Sequence, residues 1–142
     1  MPIRNCAFKR IDSFRPPQPI LPVKIINPEN NKSIRQWGII DTGADDCAIP
    51  AWVAEKLGHN LKKGSSKPID TASGSSIAYS HTTTILILHP ETYIQIYKLD
   101  NIPVDFVPDL LYPLWGVNNF LSRFILEVNY PHQLFSLKIP SR

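Results

Sequence analysis

Apolar residues in this chain fall into short runs separated by polar and proline-bearing stretches, a strand-and-turn pattern rather than a helical one. Ile20 to Ile26 alternates towards a strand, Asn27-Pro28-Glu29-Asn30-Asn31 supplies turn residues, and Ile34 to Ile40 returns as a second strand. That pair predicts a hairpin whose second arm runs straight into Asp41. Pro68 to Ala72 and Ile77 to Leu88 flank the small polar stretch Ser73-Gly74-Ser75-Ser76. With β-branched Thr82, Thr83, Thr84, Ile85 and Ile87 in its second arm, this segment predicts a long hairpin with a mobile, Gly-bearing tip.

The remaining runs extend the same reading. Tyr93 to Leu99 and Ile102 to Val107 predict two further strands, and Phe124 to Val128 and Leu134 to Ile139 predict two more around a turn at 129–132. Leu110-Leu111-Tyr112-Pro113-Leu114-Trp115-Gly116 is an apolar run that ends in Gly, and Asn118 to Arg123 predicts one or two helical turns. Pro50 to Leu57 is the best helix candidate: Pro sits at an entry position, Ala51, Ala54, Glu55, Lys56 and Leu57 favour helix, and Gly58 closes it. Residues 1–19, with Phe14-Arg15-Pro16-Pro17-Gln18-Pro19, read as an extended arm or a propeptide, so the compact domain is expected over 20–142.

Composition narrows this to an all-β chain. With 142 residues it forms one domain, too short for two full lobes, and no internal repeat is visible. Its 14 prolines, set mostly between the apolar runs, act as punctuation between short strands. A net charge of +3 from scattered basic residues gives no stripe for nucleic acid, so no nucleic-acid partner is expected. No apolar run is long enough to span a membrane, and Arg4, Asn5, Lys9, Arg10 and Asp12 interrupt any secretory segment. Two cysteines, Cys6 and Cys47, make no disulfide framework and read as free thiols, so a cytoplasmic setting is expected. His59, His81, His89 and His132 lack ligand-like spacing, and neither a metal nor an organic cofactor is expected.

The candidate chemistry lies at Ile39-Ile40-Asp41-Thr42-Gly43-Ala44-Asp45-Asp46, where an apolar strand delivers a carboxylate into a tight turn. Asp and Gly are ordinary turn residues, so the triplet Asp-Thr-Gly alone admits a purely structural reading. As chemistry, a carboxylate activates water for amide hydrolysis only with a second one beside it, one accepting a proton while the other donates. Asp-Thr-Gly occurs once, so an active protein requires two chains.

From about residue 20 to 139 the order of parts resembles the retropepsins, the retroviral-type aspartic proteases, and their bacterial and retroelement relatives. The block Ile40 to Asp46 reproduces the retroviral active-site stretch, and Leu114-Trp115-Gly116 is similar to the family's second landmark. The resemblance implies a closed β-barrel, the acid-protease half-domain, with a flap hairpin and one short C-terminal helix. It implies that Asp41 is the catalytic carboxylate, that the Thr42 hydroxyl interlocks with its symmetry mate, and that substrate passes close to Gly43. Ala44, Asp45 and Asp46 would contact an extended polypeptide substrate, Ser73, Gly74 and Ser75 would form the flap tip, and Leu111, Tyr112 and Leu114 would line pockets opposite Ile39 and Ala48. Such apolar pockets imply cleavage between bulky hydrophobic residues.

A homodimer is implied too, with Leu134 to Ile139 and part of the N-terminal arm in the dimer sheet, their apolar side chains buried only on pairing. The chain departs from the retroviral pattern in three places. Val117 stands where an Arg commonly pairs with the carboxylate at Asp45, leaving Arg123 and Arg4 as candidate substitutes. Trp115 is larger than the usual aliphatic residue, and the flap has one Gly where several are usual. Two other readings stay open: a catalytically silent retropepsin-like dimerisation or peptide-binding module, and a single lobe of a larger pepsin-like enzyme.

Overall fold

Strands dominate the computed structural model, which describes residues 3–71 and 74–141. They are β1 (Ile3–Ala7), β2 (Ile20–Ile26), β3 (Ser33–Ile40), β4 (Ala48–Pro50), β5 (Ser65–Thr71), β6 (Gly74–Leu88), β7 (Gln95–Val107), β8 (Leu114–Trp115), β9 (Ile125–Asn129) and β10 (Leu134–Lys138). One α-helix, α1 (Ala51–Lys56), follows Pro50 and ends at Leu57 before Gly58, whose φ of +76° is a left-handed conformation that L side chains rarely adopt. The predicted hairpin turn does more than reverse the chain. Asn27 Nδ2 and Asn30 Nδ2 donate to the Leu57 carbonyl at 2.9 and 3.0 Å, satisfying an acceptor at the helix C-terminus.

Seven strands form one sheet in the order β2-β3-β8-β4-β7-β6-β5, and β2 also pairs with β6, which closes the sheet on itself. Pro22 is tolerated in β2 because β6 joins only from Val23 onward, so the missing N–H falls where β2 has one neighbour. The closed sheet packs Leu21, Val23, Ile25, Ile85, Ile87, Leu99, Phe106 and Trp115 into a core from which water is excluded. Each such side chain contributes roughly 1.5–3 kcal/mol of apolar burial.

Three features differ from the sequence reading. The strands expected at 93–99 and 102–107 are one strand, β7. Asn101 takes a left-handed φ of 50° there and donates its N–H to Thr84 Oγ1, and the register against β6 slips between Thr83 and Ile85. A bulge thus bends the strand without ending it. The C-terminal helix is a single 3-10 turn at Leu121–Arg123.

The third difference concerns the N-terminal arm, which is folded from Ile3 onward. β1 pairs with β10, and β10 with β9, in a second, three-stranded antiparallel sheet. Ile3, Cys6, Phe135 and Leu137 are buried within one chain, so their burial does not wait for a partner. A path of aromatic rings, Trp115 to Phe120 to Phe124 to Tyr97, joins this sheet's approach to the barrel core. Among the described residues no helix is long and apolar enough to cross a membrane.

Candidate active site

β3 carries Asp41 to its place through three consecutive backbone bonds. Ile39 N–H donates to the Pro113 carbonyl, Ile40 N–H to Pro19 and Asp41 N–H to Trp115, at 2.9, 3.1 and 3.1 Å. The chain then turns. Ala44 N–H returns to the Asp41 carbonyl at 3.2 Å, and Gly43 N–H donates to Asp41 Oδ1 at 2.9 Å. That second bond orients the carboxylate, and Oδ2 carries no hydrogen bond among the described residues.

The turn rests on the segment after β8. Val117 N–H donates to the Ala44 carbonyl at 3.0 Å and Asn118 N–H to that of Asp45 at 2.7 Å. Gly116 is required between them: a Cβ there would lie 2.6 Å from the carbonyl carbon of Asp46 and 2.8 Å from the Ala44 oxygen. Trp115 fits because Gly38 faces it, where a Cβ would meet the indole Nε1 at 2.6 Å. Its ring stacks on Phe120 at 5.5 Å, and Nε1 donates to the Leu21 carbonyl at 3.2 Å. Cys47 is buried behind the turn. Burial pushes its thiol up to about 12, with the Gly116 N–H acting in the other direction, so it packs as a small apolar group.

The two carboxylates after Ala44 are treated differently. Asp46 accepts from Asn118 Nδ2 on one oxygen, at 3.1 Å, and from the Lys67 ammonium on the other, at 3.2 Å. Lys67 also reaches Asp105 Oδ2 at 3.0 Å. Asp45 pairs with no cation among the described residues, and neither Arg123 nor Arg4 takes the part of the missing arginine.

Around this turn lies a groove of about 900 Å³. Of the residues expected in the site it brings together Ile39, Asp41, Gly43, Ala44, Asp45, Asp46, Ala48, Ser75, Leu111, Tyr112 and Leu114. Thr42 is exposed and does not line it. Gly74 does not line it either, and its φ of +120° is a conformation that L side chains rarely adopt; Ser73 lies outside the described residues.

Ten of the residues that line the groove were missed in the sequence, and four contributors stand out among what was missed. Lys67 and Asp105 are two, and an acidic residue inside the apolar run Val104-Asp105-Phe106 was a usable signal for the second. The others come from the N-terminal arm. Its loop is closed by backbone bonds between Lys9 and Gln18, Asp12 Oδ1 caps the N–H groups of Phe14 and Arg15, and Asp12 Oδ2 accepts from the Tyr112 hydroxyl. Arg15 thereby joins the groove wall.

A strand-borne carboxylate in an Asp-Thr-Gly turn, set in a groove on a closed β-sheet, defines the aspartic protease class of fold and site. In sequence the chain matches the aspartyl protease family over residues 21–113, and it belongs to that family. In structure it is similar to a retropepsin-like aspartic protease from Rickettsia conorii, with a TM-score of 0.68 and 23% identity, over 96% of this chain and 89% of that one. No curated protein matches the chain in sequence.

Proposed function

We propose that the chain is an aspartic endopeptidase that hydrolyses peptide bonds between hydrophobic residues through Asp41 and its symmetry mate in a homodimer. The observation that carries this reading is the position of Asp41. Its carboxylate faces a groove with apolar walls at Ile39, Ala48, Leu111 and Leu114, and one oxygen is already engaged by Gly43 N–H. Across a two-fold axis the two carboxylates share one proton, as in aspartic proteases generally, because like charges so close do not both ionise cheaply. The ionised member takes a proton from water, whose oxygen attacks the peptide carbonyl. The protonated member donates to the developing oxyanion, and the leaving amine is then protonated.

The substrate lies extended beneath the β5–β6 hairpin, which acts as the flap. Ser73, Gly74 and Ser75 stand at its end in this reading, and Thr42 meets its counterpart from the second chain. Among the carboxylates beside the turn, Asp45 is the better placed to take substrate N–H groups, since each Asp46 oxygen already accepts one bond.

Incubation with a diverse peptide mixture at acidic and neutral pH, with cleaved bonds identified by mass spectrometry, tests the proposal. Cleavage between hydrophobic residues is expected, with a bell-shaped pH profile on the acid side of neutrality. Asp41→Asn, nearly isosteric but unable to share the proton, should abolish it while the protein stays folded. Turnover retained by a folded Asn variant would overturn the assignment, and peptide binding without cleavage by the wild type would make the chain a binding module.

A further inference from the structure

The β5–β6 hairpin leaves the barrel at a definable point. β6 pairs with β7 from Tyr79 to Leu88, whereas Gly74 to Ala78 pair with β5 alone. Lys67 sits opposite Ala78 at that departure point, and beyond it Ile69, Asp70, Ser75 and Ser76 line the groove. An isolated two-stranded ribbon is marginal in water, so its height above Asp41 depends on ties at its root.

The Lys67 ammonium is such a tie, 3.0 Å from Asp105 Oδ2 on β7 and 3.2 Å from Asp46 Oδ2 in the active-site turn. Both anchors are held by the barrel: the Asp105 side chain is only 12% exposed, and the other Asp46 oxygen is bonded to Asn118. Among the described residues, the side chains of 66, 68–70 and 75–77 make no hydrogen bond or ion pair outside the hairpin. Ser75 Oγ and Asp70 Oδ1, at 3.5 Å, join only its two arms. Attraction to Asp105 above all, and then to Asp46, raises the Lys67 pKa above its ordinary value against the opposing effect of burial, as expected for an ammonium held by two carboxylates.

We propose that Lys67 is a positioning residue that clamps the root of the hairpin to β7 and to the active-site turn, and so sets how closely the hairpin covers a bound peptide. The proposal rests on the groove being a peptidase cleft, yet the clamp itself is measurable without catalysis. Lys67→Met keeps the aliphatic stem and removes the charge. Because that variant leaves the nearly buried Asp105 uncompensated, the double variant Lys67→Met with Asp105→Asn serves as a second, neutral test, and Lys67→Arg as the rescue.

Amide hydrogen exchange on the full chain should quicken roughly 5-fold across 68–70 and 75–78, as expected for losing an ion pair of this exposure, while β2, β3 and β7 keep their protection. On a cleaved peptide, KM should rise by a similar factor with kcat changed less, and Lys67→Arg should restore both. Wild-type exchange rates in both Met variants, loss of protection spread evenly through the barrel, or failure of the Arg rescue would each overturn the clamp. If the hairpin loosens as expected but the wild type cleaves no peptide, the clamp stands and the protease reading falls.

Discussion

At position 116 the backbone has no space for a side chain, and that constraint explains why an apolar pair followed by Gly marks this site. The nearest obstacles to a Cβ are backbone atoms of Asp46 and Ala44, the segment that shapes the Asp41 turn, so relief requires moving the turn itself. Gly116→Ala should therefore cost about 3 kcal/mol, at the upper end for overpacking, and lower Tm by about 10 °C in a thermal melt. A melt within 2 °C or so of the wild type would show that the turn yields easily. Gly116 was legible in the sequence through its neighbours Leu114 and Trp115. Gly38 was not, although it is what makes the large Trp115 ring fit, because that constraint comes from a residue far along the chain. Asp41 was legible for the opposite reason: the whole turn, with its Gly43 N–H and Ala44 N–H bonds, is local.

Elements show the same division between local and distant causes. α1 was readable because Pro50 and Gly58 punctuate it directly, and the β2–β3 hairpin because its turn residues lie between its arms. β1 was not, because its partner β10 lies at the other end of the chain, and β7 was divided in two because the Asn101 bulge resembles a turn. Packing of the segment after α1 on β6 sets two imidazoles together, with the His59 and His81 ring centroids 4.5 Å apart and Phe106 against both. His81 Nε2 lies 2.8 Å from the Leu61 carbonyl, which can only accept, so that nitrogen carries a proton. His59 Nε2 is buried without a hydrogen-bond partner among the described residues, and burial first, then His81, lowers the His59 pKa below 6.5, with Glu29 opposing weakly. A lowered folded-state pKa means that the unfolded chain binds more protons, so stability is full above 6.5 and is lost as pH falls from there through the folded value. Thermal melts should show Tm falling between pH 7.5 and 5.5, and His59→Phe should flatten that slope. An unchanged slope in the variant would place the titrating group elsewhere.

On the scale of the whole molecule, the three-stranded sheet separates folding from assembly. Ile3, Phe135 and Leu137 are already buried in one chain, and β10 lies between β1 and β9, so the single chain has a complete core without a partner. Catalysis is different, because one chain holds one Asp-Thr-Gly turn and a lone carboxylate cannot be base and acid at once. The proposed mechanism therefore predicts a monomer that is folded and inactive. On dilution, specific activity should fall faster than linearly while the circular dichroism spectrum and Tm stay nearly constant, an uncommon pairing for a dimer whose subunits fold only together. Truncation after Pro131 should abolish activity by a separate route, since losing Phe135 alone would remove roughly 3–5 kcal/mol of core stability and unfold the chain before any question of pairing arises. Sedimentation run alongside the assay decides the matter: full activity per chain in a species that sediments as a monomer would exclude a site shared between two copies of Asp41.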